Sequence, residues 1–258
     1  MVARPPASEN MLQRLSFLFA LILFAVPLCH AQTATIAVAS NFKPAMEQLA
    51  QAFSESHDHE LRRVYGSSGK LLAQIRHGAP FDAFLSADTA KPQHLIDLEL
   101  GIKSSSYIYA IGQLALWSPS AKTPLSASIL KQPDITLAIA NPKLAPYGVA
   151  ATELLATLQL TNASNIRLIQ GENINQTFQF VATGNADVGL VAYSQLTHHS
   201  QNIANAWHIP PSSHAPIEQQ AILLRSGQSN SAASDFLAYL ASTEAKAIIR
   251  RSGYRVVD

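Results

Sequence analysis

Two stretches of this 258-residue chain end an apolar run in hydroxyls and open a helical pattern: Ala39-Ser40-Asn41-Phe42-Lys43-Pro44 and Tyr65-Gly66-Ser67-Ser68-Gly69-Lys70-Leu71. The start of a helix leaves several backbone N–H groups without intrahelical partners and carries the positive end of the macrodipole. An anion is therefore stabilised there without a cationic side chain. Ser67 and Ser68 add hydroxyl donors, and Gly66 and Gly69 let the main chain come close. A Ser-capped helix after a Gly turn is the plainer reading of either stretch alone. Their recurrence favours an anion cradle.

Other chemistries fit less well. Ser67 and Lys70 have the S-x-x-K spacing of penicillin-recognising acyl-transfer enzymes, but Lys122-Thr123 is followed by Pro124 where Gly is wanted, and no S-D-N occurs. The 66–70 stretch has only two residues between its glycines and Leu71 in place of Ser/Thr, which argues against a Mg-nucleotide loop. His57-Asp58-His59 and His198-His199 lack the spacing of a metal site and read as solvated surface histidines. Asp82 and Asp88 could form an acid-base pair, although a carboxylate held by backbone or a nearby cation is the simpler account.

The elements that must position these turns follow a regular plan. Arg14 and the apolar run Leu15–Leu28, followed by Cys29-His30-Ala31, read as a signal peptide over residues 1–31, cleaved after Ala31. A lipoprotein anchor on Cys29 is the alternative, disfavoured by bulky Leu28 before it. Cys29 is the only cysteine, so the mature chain holds no disulfide and no thiolate site, as suits a bacterial periplasm. Without Arg4, Arg14 and Glu9 the chain keeps 16 basic and 16 acidic residues. With no basic stripe, nucleic acid and membrane surfaces are not expected as partners.

Strands are expected at 35–39, 61–65 and 81–85, each followed by a polar turn and a helix, which is the pattern of parallel βαβ packing. Ligands collect at the carboxyl ends of such strands, where both candidate turns fall. The run 107–117 reads as a strand leaving one domain for another. A second series follows: strand 135–140, helix 147–158, strand 166–169, helix 173–183 and strand 187–192. A strand at 219–224 returns to the first domain, and a single helix spans 233–250. The fold class is thus α/β, with lobe I at 32–112 plus 220–258, lobe II at 113–219 and a ligand cleft between them.

Taken together, Val38-Ala39-Ser40-Asn41-Phe42, the 65–71 stretch, Gly78-Ala79-Pro80-Phe81-Asp82-Ala83-Phe84-Leu85-Ser86-Ala87-Asp88, Asn141-Pro142 with Pro146-Tyr147-Gly148, Gly171-Glu172-Asn173-Ile174, Val188-Gly189-Leu190-Val191, the 236–240 run and Gly253-Tyr254 resemble the periplasmic molybdate-binding proteins of ABC importers. The likeness covers essentially the whole mature chain. It implies a type II periplasmic binding protein, not an enzyme, needing no cofactor and holding molybdate or tungstate in its cleft. The implied partners are an inner-membrane permease and its ATPase, and the implied state is a monomer. The implied ligand residues are Ser40, Asn41, Ser67, Ser68, Tyr147 and Ile174, the last two through backbone N–H. Many members carry a Tyr after the strand equivalent to Gly189-Leu190-Val191. Here Ala192 holds that place and Tyr193 follows, so either Tyr193 or Asn41 is expected to supply the last donor. Lys70 is expected to attract the anion at long range or to be solvated. Another oxyanion, sulfate or phosphate, is the alternative ligand.

Overall fold

The computed structural model describes residues 31–197 and 200–257. The expected signal peptide through His30, Cys29 within it, and the His198-His199 pair lie outside the described residues.

Two five-stranded sheets organise the chain. The first contains β1 (Thr33–Ala39), β2 (Glu60–Gly66), β3 (Ala83–Ser86), β4 (Tyr107–Gly112) and β10 (Ile217–Leu223), in the order β2-β1-β3-β10-β4. The second contains β5 (Leu114–Trp117), β6 (Ile135–Ala140), β7 (Ile166–Gly171), β8 (Val188–Ala192) and β9 (Trp207–His208), in the order β7-β6-β8-β5-β9. In each sheet three strands run parallel and the next is antiparallel, β10 in the first and β5 in the second. The stretch expected as one strand over 107–117 breaks at Gln113, and its halves enter different sheets.

Period-two alternation sends the strand side chains to opposite faces, and helices cover both. On one face of the first sheet, Ile36, Val38 and Leu85 meet Phe42, Met46, Leu49 and Phe53 of the turn and helix α1 (Lys43–Ser56), together with Phe236, Leu240 and Ile249. On the other, Ala37, Phe84 and Ile222 meet Leu71 and Ile75 of α2 (Ser68–Arg76) and Leu95 of α3 (Ala90–Asp97). Burying a side chain of this size contributes about 1.5–3 kcal/mol, so these layers fix the strands whose ends carry the turns. The second sheet is covered by α4 (Pro146–Thr157) on one face, where Tyr147, Ala151 and Leu154 join Leu137, Ile139 and Leu190. Val181 of α5 (Ile174–Ala182) packs with Trp117, Ala138 and Val191 on the other. A short helix, α6 (Ser200–Asn205), precedes β9.

The two sheets share a local device. Asp82 accepts the Thr35 N–H at 2.7 Å and returns its own N–H to Thr35 C=O, locking the start of β3 to β1. Asp187 does the same to Thr136 at 2.7 Å, locking β8 to β6. Asp88 accepts from Ser86 and Lys91. Both expected carboxylates are thus structural, as the simpler account had it.

Two expectations are corrected. The C-terminal helix is two helices, α7 (Ser231–Leu240) and α8 (Thr243–Arg251), because the Ser242 hydroxyl accepts the Ala245 N–H at 3.1 Å and starts a new helix. His59 is not a solvated surface group: its side chain is 6% exposed, with Nδ1 accepting the Gln32 N–H and Nε2 facing Asp235 at 3.2 Å. Among the described residues no group of three or more His, Cys, Asp or Glu is placed to hold a metal.

Candidate anion-binding site

Register brings the cradle turns together in pairs. Ala39 pairs with Gly66 at the carboxyl ends of β1 and β2, so Ser40 and Ser67 leave the first sheet side by side. Ala140 pairs with Gly171 in the second sheet, which places the starts of α4 and α5 next to each other. The Ser40–Phe42 turn contacts both α5 and the Tyr193–Gln195 turn. Across the gap, Gly69 N–H donates to Leu144 C=O at 2.8 Å and Lys70 Nζ meets a Glu172 carboxylate oxygen at 2.6 Å. These bonds join turns of the first sheet to loops of the second, so the lobes are closed on each other.

Each helix start keeps donors for a ligand. In α2, Ser67 C=O accepts from Leu71 N–H and Gly69 N–H goes to Leu144, which leaves the Ser68 and Lys70 N–H groups of the first turn without intrahelical acceptors. The Ser67 hydroxyl, although Ser67 stands at the N-cap, makes no capping bond, is buried, and has no hydrogen-bond partner among the described residues. Ser68 Oγ accepts the Ala87 N–H at 3.0 Å, which uses a lone pair and leaves its own O–H free to donate. In α4 the Gly148 and Val149 N–H groups both reach Ala145 C=O, and Tyr147 N–H has no intrahelical acceptor. The Asn173 side chain caps α5 by accepting from Asn175 and Gln176, leaving Ile174 N–H as the first-turn donor. Ser40, Asn41, Ser67, Ser68, Tyr147 and Ile174 are all buried. Leaving a hydroxyl buried and unpaired costs about 1–3 kcal/mol, so the Ser67 hydroxyl fits a site that meets an acceptor.

Three placements bear on the remaining expectations. The Asn41 amide is already engaged: Nδ2 donates to Gln219 Oε1 at 2.8 Å and to Tyr254 Oη at 3.1 Å. Its orientation is set by chemistry, because Tyr254 spends its own proton on Asn41 C=O at 2.7 Å and can only accept from the amide. Tyr193 has partners of its own: its N–H goes to Gln113 C=O at 2.9 Å and its ring meets His208 edge-on with centroids 3.9 Å apart. Lys70 is about half exposed and paired with Glu172, so its charge is locally neutralised rather than free. Because its amine faces Glu172 while the Ser67 hydroxyl has no partner, the S-x-x-K pair does not form a nucleophile and base.

Sequence reasoning missed the layer beneath the turns. Gln219 on β10 accepts from Asn41 and from Tyr109 Oη at 3.1 Å, and Ser194 Oγ donates to Asn41 C=O at 3.3 Å. The one signal was Gln219 in a strand, between Ile217 and Ala221 on the same face. Burial raises the pKa of Tyr109, Tyr147 and Tyr254, with the phenols' mutual proximity adding to it for Tyr109 and Tyr147. The floor of the site is therefore made of neutral groups that do not repel an anion.

Two sheets with matching strand order, crossed twice by the chain, and a closed gap lined by helix starts define a two-lobed solute receptor of type II topology. The chain belongs to the bacterial extracellular solute-binding protein family, whose model matches residues 34–255. Within that class it is 39% identical over 231 residues to the molybdate-binding protein ModA of Azotobacter vinelandii, covering 88% of this chain and 92% of that one. It is 38% identical over 219 residues to ModA of Rhodobacter capsulatus, covering 84% and 86%. The solved periplasmic molybdate-binding protein of Azotobacter vinelandii superposes with a TM-score of 0.82 at 32% identity, covering 87% of this chain and all of that one.

Proposed function

We propose that this chain is a periplasmic receptor that closes its two lobes on molybdate or tungstate and delivers the anion to an ABC permease in the inner membrane, driven by a cytoplasmic ATPase. The lobes are 32–112 plus 220–258 and 113–219, the protein works as a monomer, and it needs no cofactor and performs no catalysis. The observation that carries the reading is the buried, partnerless Ser67 hydroxyl at the head of α2 inside a closed cleft. The relatives' names supply the ligand class.

The chemistry is that of a cage of dipoles. Hydroxyls of Ser40, Ser67 and Ser68 and the N–H groups opening α2, α4 and α5 face a dianion, with Asn41 holding the first turn. Hydrogen bonds to a charged group contribute about 1.5–3 kcal/mol each, so about six or seven, less association costs, give roughly −8 to −12 kcal/mol. That corresponds to micromolar to nanomolar affinity. Donors fixed on two rigid lobes select by size, and a smaller dianion leaves some of them unpaired. Calorimetric titration of ligand-stripped protein with molybdate, tungstate, sulfate and phosphate tests the reading. One-to-one heats from the first two with none from sulfate are expected, and silence from molybdate and tungstate would sink it.

A further inference from the structure

Gln219 is fully buried under the cleft, at a register irregularity where β10 pairs with β4. Bulges of this kind re-aim a side chain, and here the carboxamide points to where the chain crosses between lobes. Its Oε1 is fully used, accepting from Asn41 Nδ2 and Tyr109 Oη. Its Nε2 and the Tyr147 hydroxyl are both buried and neither completes a well-aligned hydrogen bond, but the Gln219 and Asn41 side chains lie near enough to the Tyr147 hydroxyl to offset part of the upward pull of burial on its pKa. Both groups lie against Gly112, the last residue before the first crossing. A Cβ at Gly112 would stand 2.3 Å from Tyr147 Oη and 2.9 Å from Gln219 Nε2, so only glycine admits them. Tyr147 belongs to α4 of the second lobe, and its N–H is one of the cradle donors; Asn41 belongs to the first turn of the first lobe.

From this geometry we infer that Gln219 is a positioning residue for the anion, coupling the two halves of the cage across the closed gap: its Nε2 faces Tyr147 Oη of the second lobe while its Oε1 holds Asn41 of the first. The inference rests on the oxyanion-receptor reading. Because the two groups belong to opposite lobes, a bond between them is specific to the closed state. The gain from that bond appears in affinity and in the rate of release, although neither group touches the ligand through its side chain.

A double-mutant cycle tests the coupling, using Gln219→Met, which keeps volume without hydrogen bonding, Tyr147→Phe, which removes one oxygen, and their combination. Calorimetry with molybdate gives the affinities, and thermal melting of each ligand-free variant reports folding. Each single change is expected to weaken binding about 5- to 50-fold, and the pair together is expected to weaken it no more than the worse single change. Gln219→Glu adds a readout that a space-filling role would not move: at pH 6 the buried acid is neutral and can donate, whereas at pH 9 it is a carboxylate beneath an anion, so binding is expected to fall at least tenfold more at pH 9 than in the parent. Tyr109, Tyr147 and Tyr254, which face it, stay protonated over this range because burial raises their pKa values. Parent-like affinity in both single variants, or additive losses with no pH dependence in Gln219→Glu, would overturn the inference alone. Absence of molybdate and tungstate binding by the parent would overturn the receptor reading beneath it.

Discussion

Replacing Gly69 with Ala separates closure of the lobes from stability of the fold. A Cβ at this position would lie 3.0 Å from Leu144 O and 3.1 Å from Leu144 Cα, and both are main-chain atoms of the opposite lobe that cannot rotate away. Relieving the overlap moves the lobes apart, at a cost of about 1–3 kcal/mol for an overpacked methyl. It also stretches the 2.8 Å bond from Gly69 N–H to Leu144 C=O, a contact between lobes contributing about 0.5–1.5 kcal/mol. Together these destabilise the closed state by roughly 1.5–4.5 kcal/mol, or about 10- to 2,000-fold in Kd. The open state feels neither penalty. Gly69 lies in the first turn of α2, where Ala is preferred to Gly by up to about 1 kcal/mol, so the ligand-free protein should melt at the same temperature or higher. Calorimetric titration with molybdate, thermal melting without ligand, and small-angle scattering of the loaded protein read the three quantities. Unchanged affinity would refute the reasoning, and so would an affinity loss matched by an equal loss of ligand-free stability.

Three further outcomes are expected. Ser67→Ala removes a hydroxyl that has no protein partner, so melting should not change while molybdate binding, read by titration, weakens by about 10- to 150-fold for one charge-assisted bond. Glu172→Gln breaks a half-exposed ion pair across the mouth; exposed pairs contribute about 0.2–1 kcal/mol, so affinity at low salt should fall less than about fivefold and the difference from the parent should vanish at high salt. Burial raises the pKa of Tyr65, Tyr107, Tyr109, Tyr147, Tyr239 and Tyr254. Because the folded chain holds these protons more tightly than the unfolded one, stability is unaffected by them below about pH 10 and declines above it, and tyrosinate absorbance in an alkaline titration should rise together with unfolding rather than before it.

Local physics made much of this legible in the sequence. Alternating apolar strands and amphipathic helices marked the βαβ order, and β6 has the expected limits because Ile135–Ala140 is an unbroken buried run between turn residues. Gly/Ser and Pro-Tyr-Gly turns marked the helix starts at Ser67 and Tyr147, since caps depend on residues adjacent in the chain. The break at Ser242 was missed for the converse reason: the apolar spacing continues across it, and only the hydroxyl bond to Ala245 N–H ends the pattern. What the chain could not disclose locally was which groups meet across the gap. Lys70 reads as a free cation until Glu172, 102 residues away, is found against it. Asn41 reads as a free amide until Gln219 and Tyr254, 178 and 213 residues on, are found against it. Helix starts are short-range products of dihedral preference and capping, whereas the pairing of buried polar groups depends on two crossings of the chain that bring distant segments into one low-dielectric interior.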